Sequence, residues 1–179
     1  MSSHTCRSIG PADDAKLRRF VQQVLSDPGC SADDQRYFQA LPNYLRSLDR
    51  RHLMTVVEDD AGDFEAFQQW AFWTRFEIDL GEGPHVWWNV WDVKSWSLWV
   101  SKRENGERSH LSGHCVELLY HTFNTAMAST LASAAIWRDL RGSVTVLAGR
   151  AEFVDKGSGL WLRGVKGSGA EPDRNVGTS

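Results

Sequence analysis

Two aromatic runs decide the fold: residues 64–80, FEAFQQWAFWTRFEIDL, and residues 85–100, HVWWNVWDVKSWSLWV, with the breaker GEGP at 81–84 between them. In the first run, large apolar residues recur at Trp70, Phe72, Phe76, Ile78 and Leu80, and Arg75, Glu77 and Asp79 fall between them. Side chains of a β-strand alternate between its two faces, so this spacing predicts a strand with one buried face and one wetter face.

The second run is rich in tryptophan and valine, which favour strands, but its alternation shifts partway along. Before the shift, Val86, Trp88 and Val90 share a face, whereas the apolar set after Ser95 begins at Trp96. A β-bulge near Lys94–Ser95 would produce this shift, because one extra residue changes the facing of a strand. Aromatic residues would then emerge on both faces of one sheet. Each face therefore needs cover from a helix, a partner subunit or a ligand.

The chain of 179 residues has a net charge of −3 and a pI of about 6.1, which disfavours a general nucleic-acid binder. We expect a flexible N-terminus over 1–10, one domain over 11–163 and a disordered tail over 164–179. Three cysteines without a CxxC pair indicate free thiols in a reducing compartment. With no apolar segment of the length a membrane span needs, we expect a cytoplasmic protein that does not bind membranes.

The remaining elements place this sheet in an α+β fold. Helices are expected from Pro11 and from Ser31, with a third short helix after Pro42. The longest helix is predicted over about 114–140. Further strands are predicted at 53–57, 107–111, 143–147, 151–154 and 160–163. The sequence thus predicts N-terminal helices followed by a curved antiparallel sheet, with the long helix packed across it.

The surplus of aromatic residues favours a pocket between the sheet and the long helix. Large aromatic side chains mainly build cores, but so many on two adjacent strands exceed what one core face needs. A small apolar or aromatic ligand is the expected partner. The residues predicted to contact it are Trp70, Trp88, Trp91 and Trp96 as walls, with Asp92 and His121 as polar contacts.

Asp92 is also a candidate acid or base. A carboxylate surrounded by tryptophans would lose hydration, so its pKa would rise and it could transfer protons. The alternative interpretation places Asp92 at a bulge or at the sheet rim, where it faces water.

A weaker candidate is a metal site on the long helix, formed by His114, Glu117 and His121. These side chains share one face of a helix, and two imidazoles with a carboxylate can bind zinc or non-haem iron. However, His114 and His121 are separated by about 10 Å of helical rise, which is far for one ion. The alternative is a solvated polar face opposite the apolar one.

The pattern therefore favours a small-molecule-binding domain. One alternative is a protein-interaction module, such as an adaptor, an inhibitor, an immunity-type protein or a sheet-mediated homodimer, because tryptophan is enriched at interfaces. The other is an enzyme that uses the Asp92 carboxylate or the helix metal site. No GxSxG, HExxH or GxGxxG motif occurs, and the sequence indicates no particular cofactor.

Overall fold

The computed structural model describes residues 4–47, 51–78, 86–94, 99–100, 103–104, 107–108, 113–129, 132–140 and 142–164. The described helices begin with α1, which follows a short 3-10 turn at Pro11–Asp13. Ser31 caps the second helix by accepting a hydrogen bond from the Asp34 backbone N–H. The helices are α1 (Asp14–Leu25), α2 (Ala32–Arg46), α3 (Gly113–Ser129) and α4 (Ser143–Arg150).

The described strands form one eight-stranded sheet and a separate two-stranded hairpin. They are β1 (Thr5–Ser8), β2 (His52–Glu58), β3 (Phe64–Ile78), β4 (Val86–Val93), β5 (Trp99–Val100), β6 (Arg103–Glu104), β7 (Glu107–Arg108), β8 (Ala134–Arg138), β9 (Val154–Asp155) and β10 (Leu160–Gly164). The hairpin consists of β6 and β7.

The main sheet has the order β1-β2-β3-β4-β8-β10-β9, and β5 also pairs with β3. Neighbouring strands are antiparallel except for β4 and β8, which run parallel with Val90 opposite Ala134 and Val93 opposite Trp137. The predicted α+β architecture is confirmed. The predicted antiparallel sheet is confirmed as a mostly antiparallel one, in which this central pair runs parallel.

Helices cover the sheet on both faces. On one face, α1 and α2 bury a cluster that includes Phe20, Phe38 and Phe67. On the other face, α3 and α4 pack over Trp70, Trp91 and Trp137. The aromatic residues on both faces of the central strands are therefore largely buried by the protein's own helices.

The predicted long helix over 114–140 is wrong in its second half, because α3 ends at Ser129 and β8 follows. Residues Ala134–Trp137 are completely buried. A strand that is buried on both faces has a continuous apolar sequence, and such a run resembles an extension of a buried helix.

Three further expectations need correction. The run predicted as a strand at 143–147 belongs to α4, where Leu147 and Ala148 are buried against the sheet. Pro42 does not end a helix, since α2 continues through it and buries Leu41 and Leu45 on either side. The N-terminal segment predicted to be flexible contains β1, which is hydrogen-bonded to β2.

Candidate functional site

The structure divides the residues predicted to contact a ligand between the two faces of the sheet. Trp70 and Trp91 are buried under α3 and α4. Asp92 lies on the opposite face of β4, and Trp88 contacts the cluster of Val90 and Ile136 on that face. His121 lies on α3, and Trp96 is outside the described residues. These side chains do not surround one common pocket in the described part of the chain.

Asp92 is instead the centre of a charged cluster where the parallel strands end. Its side chain is only 2% exposed. Lys94 Nζ donates to Asp92 Oδ2 at 3.0 Å, and Arg138 Nη2 donates to the same oxygen at 2.7 Å. Burial of a charge is tolerated when oppositely charged groups bind it, so the two cations compensate the carboxylate.

Aromatic rings hold both cations in place. The Arg138 guanidinium lies 5.3 Å from the centre of the Phe76 ring, and Lys94 Nζ lies 5.5 Å from the Trp73 ring. These separations permit cation–π attraction. Arg138 is still 47% exposed in its side chain, so it can also contact a molecule in solvent. We call Asp92, Lys94 and Arg138 the charged triad.

The strand ladder is interrupted beside the charged triad. Val93 pairs with Trp70 and Trp99 pairs with Phe67, so five residues lie between the two paired positions on this side, whereas only two lie between them on β3. This segment thus has three more residues than β3 between the paired positions; the single-residue bulge expected near Lys94–Ser95 stays a prediction, because Ser95 is outside the described residues. The buried Gln68 side chain donates from Nε2 to the Lys94 carbonyl at 3.1 Å, which satisfies an acceptor next to the interruption.

The first turn of α3 lies beyond the carboxyl end of β2, on the opposite face of the sheet from Asp92. Leu118 packs on Val57 and Ala66, while Thr122, one turn later, contacts Thr55. The helix therefore runs antiparallel to β2 and β4, and its N-terminus lies beyond their carboxyl ends. A helix N-terminus presents backbone N–H groups that favour anions. Ligands of open sheets with parallel strands bind in crevices at this end of the strands.

The proposed helix metal ligands are not brought together as a set of three. His114 Nδ1 is 4.0 Å from Glu117 Oε2, and the His114 side chain is 40% exposed. His121 lies two turns further along α3, where its backbone carbonyl accepts a hydrogen bond from Thr125. The imidazole of His114 instead faces that of His4, with a centroid distance of 4.0 Å.

A separate cleft of about 600 Å³ lies between the second half of α3 and the β9–β10 hairpin. Its buried cation, Arg163, lies 3.8 Å from the centre of the Phe123 ring and 4.5 Å from that of Tyr120. Glu152 accepts a hydrogen bond from Arg163 Nη2 at 3.1 Å. Burial lowers the pKa of Arg163 below its usual value. None of the residues predicted to bind a ligand lines this cleft.

Sequence reasoning found Asp92 but missed its two partners. Arg138 was expected to lie in the last turn of a helix, where positive charge is favourable, and Lys94 was expected at a bulge. Recognising 134–138 as a strand parallel to β4 would have placed Arg138 beside Asp92, because their strands are neighbours in register. His4 and Glu65 belong to no sequence pattern that predicts a site, because only the fold brings them close to His114.

No helix within the described ranges is long and apolar enough to cross a membrane. Neither a protein-family model nor a curated protein matches the sequence.

Solved structures with the same architecture do match the chain. NAA60 from Arabidopsis thaliana, in complex with a bisubstrate analogue, gives a TM-score of 0.60 at 15% identity and covers 93% of this chain and 100% of its own. An acetyltransferase of the GNAT family from Streptococcus pneumoniae gives 0.58 at 14% identity and covers 89% and 97%. A predicted acetyltransferase from Clostridium acetobutylicum with acetyl-CoA gives 0.50 at 12% identity and covers 86% and 91%. The chain therefore has the fold of the GNAT acetyltransferases.

Proposed function

We propose that this protein is an acyltransferase that binds an acyl-coenzyme A at the carboxyl ends of β4 and β8. The observation that carries the proposal is the charged triad beside the only parallel strand pair among the described strands. The matching structures support it, because they are described as acetyltransferases and one contains acetyl-CoA. The expected ligand is thus small, but it is polar and anionic at its phosphate end.

The donor groups at this edge suit such a ligand. Coenzyme A carries phosphates, and arginine is well suited to bind phosphate because its guanidinium offers several donors in one plane. Arg138 has an exposed side chain that extends from the end of β8. Asp92 would hold Arg138 in position through the hydrogen bond at Oδ2.

An acyl thioester, when bound, supplies an electrophilic carbonyl carbon. In the proposed reaction an acceptor amine forms the new N–C bond, the C–S bond breaks, and the amine loses one proton while the thiolate gains one. Both cations of the charged triad donate to Asp92 Oδ2. Asp92 is therefore a positioning residue for Arg138 at the phosphate end, and we assign it no part in the proton transfer at the thioester end.

The test is calorimetric titration with acetyl-CoA, followed by detection of free thiol in the presence of a panel of amines. Arg138→Gln should weaken acetyl-CoA binding about tenfold or more, since a charge-assisted hydrogen bond contributes about 1.5–3 kcal/mol. The matched control is Arg36→Gln, because Arg36 lies on α2 and its side chain is 77% exposed. Absence of acetyl-CoA binding to the unmodified protein, or equal loss in both variants, would contradict the proposal.

A further inference from the structure

A second cluster of possible ligands lies outside the charged triad. It joins His4, directly before β1, to Glu65 near the start of β3 and His114 in the first turn of α3. One potential metal-binding atom from each residue lies within 4.8 Å of the other two. Their positions are widely separated in the sequence, so the cluster exists only because the fold brings three elements together.

The contacts within this cluster are close and partly shielded from water. His4 Nδ1 lies 2.9 Å from Glu65 Oε2, and these two side chains are only 13% and 15% exposed. The imidazoles of His4 and His114 are 4.0 Å apart between centroids, with an interplanar angle of 54°.

An unsatisfied nitrogen provides the second observation. His114 Nδ1 is buried and has no hydrogen-bond partner, and the Glu117 carboxylate at 4.0 Å is too distant to accept from it. A buried polar atom without a partner requires an explanation, and a bound cation would provide one. A neutral imidazole nitrogen is a suitable ligand for a divalent transition metal.

We propose that His4, Glu65 and His114 form a binding site for a divalent transition-metal cation of the zinc type. Two imidazole nitrogens and one carboxylate oxygen match a three-ligand zinc site that leaves a fourth position for water. Ligand atoms around tetrahedral zinc are about 3.3 Å apart, so the cluster must contract slightly on binding. Rotation of the half-exposed His114 ring is the simplest way to achieve this contraction.

Through His4 and His114, the bound cation would link the start of β1 to the first turn of α3. β1 is an edge strand held by β2 on one side. A ligand that binds only the folded state stabilises it, and this one would act where the N-terminal strand meets the main sheet. The proposal is independent of the acyl-transfer proposal, because none of its three ligands belongs to the charged triad.

The experiment is calorimetric titration of chelator-treated, dialysed protein with zinc chloride, supported by thermal unfolding with and without zinc. One zinc ion per chain should bind the unmodified protein and raise its melting temperature. His4→Ala, Glu65→Gln and His114→Ala should each weaken zinc binding about tenfold or more and remove the stabilisation. His121→Ala is the matched control on the same helix and should bind zinc as the unmodified protein does.

Two results would overturn the proposal. The first is absence of stoichiometric zinc binding to the unmodified protein. The second is binding that survives His4→Ala or Glu65→Gln, because the ligands would then lie elsewhere. Loss of binding in His121→Ala with retention in His4→Ala would favour the helix set of His114, Glu117 and His121 instead.

Discussion

At the scale of single residues, a pair of buried threonine hydroxyls joins β2 to α3. Thr55 Oγ1 and Thr122 Oγ1 are 2.6 Å apart, and Thr122 donates its hydrogen to the Leu118 carbonyl at 2.7 Å. Thr55 must therefore be the donor to Thr122. The two residues are fully buried, so neither hydroxyl can exchange its partner for water.

This order of donation predicts unequal effects of isosteric substitutions. Thr122→Val leaves the Thr55 hydroxyl buried without an acceptor and should lower the free energy of unfolding by about 1–3 kcal/mol. Thr55→Val should lower the free energy of unfolding by less, because Thr122 keeps its hydrogen bond to the Leu118 carbonyl. The double variant should be no less stable than Thr122→Val alone. Urea denaturation of the three variants checks this order, and a larger cost for Thr55→Val would contradict it.

At the scale of secondary-structure elements, β3 contains a bulge that the alternating sequence did not reveal. Trp73 pairs with Val90 and Phe76 pairs with Trp88, so β3 has one extra residue between these positions. Arg75 has a positive φ of 53° there, and its backbone N–H donates to the Asn89 side chain at 3.2 Å. The apolar alternation remains regular in sequence, because the extra residue lies among exposed polar positions.

The bulge gives a prediction about backbone strain. A left-handed conformation costs a β-branched residue more than it costs glycine, which adopts it freely. Arg75→Val should therefore lower the free energy of unfolding by about 1–2 kcal/mol, whereas Arg75→Gly should leave it unchanged or raise it by up to about 1 kcal/mol. Chemical denaturation measures both variants. A valine variant as stable as the glycine variant would show that the backbone is not constrained at this position.

Elements with a distinctive local spacing or capping residue were predictable from the sequence, and the short buried run of β8 was not. The alternating run from Trp70 marked β3, and the Ser31 cap marked α2, because local spacing determines both. The fully buried run at Ala134–Trp137 has no periodicity, so the sequence predicts a continuation of the preceding helix where the structure has β8. The charged triad depended on that strand, which explains why Asp92 was found without Arg138.

At the scale of the whole molecule, an ion-pair network ties β1 and α1 to the sheet. Arg7 pairs with Glu58 and, at 2.7 Å, with Asp13, while Lys16 pairs with the other oxygen of Glu58. The hydrogen bond from Arg7 is the largest influence that lowers the pKa of both carboxyls below their ordinary values of 4.5 and 3.8. The folded state thus binds protons at these groups less readily than the unfolded chain.

Stability should consequently depend on pH in the acidic range. Groups with a lowered pKa in the folded state stabilise it above their unfolded pKa, and this contribution is lost as the pH falls through their folded pKa. Glu58→Gln should lower the free energy of unfolding by about 1–3 kcal/mol at pH 7 and flatten its decline below about pH 4.5. Denaturation at several pH values checks this. If the free energy of unfolding of Glu58→Gln declined in acid as steeply as that of the unmodified protein, the ion-pair network would not be the cause of the decline.

We expect an acyl-coenzyme A to bind where β4 and β8 end. Backbone amide hydrogen exchange, measured with and without acetyl-CoA, tests it most directly because the position of the ligand is read along the chain. We predict slower exchange in residues 86–94 and 134–140, with α1 and α2 unchanged as an internal reference. Unchanged exchange at saturating acetyl-CoA, or protection confined to the cleft around Arg163, would contradict it.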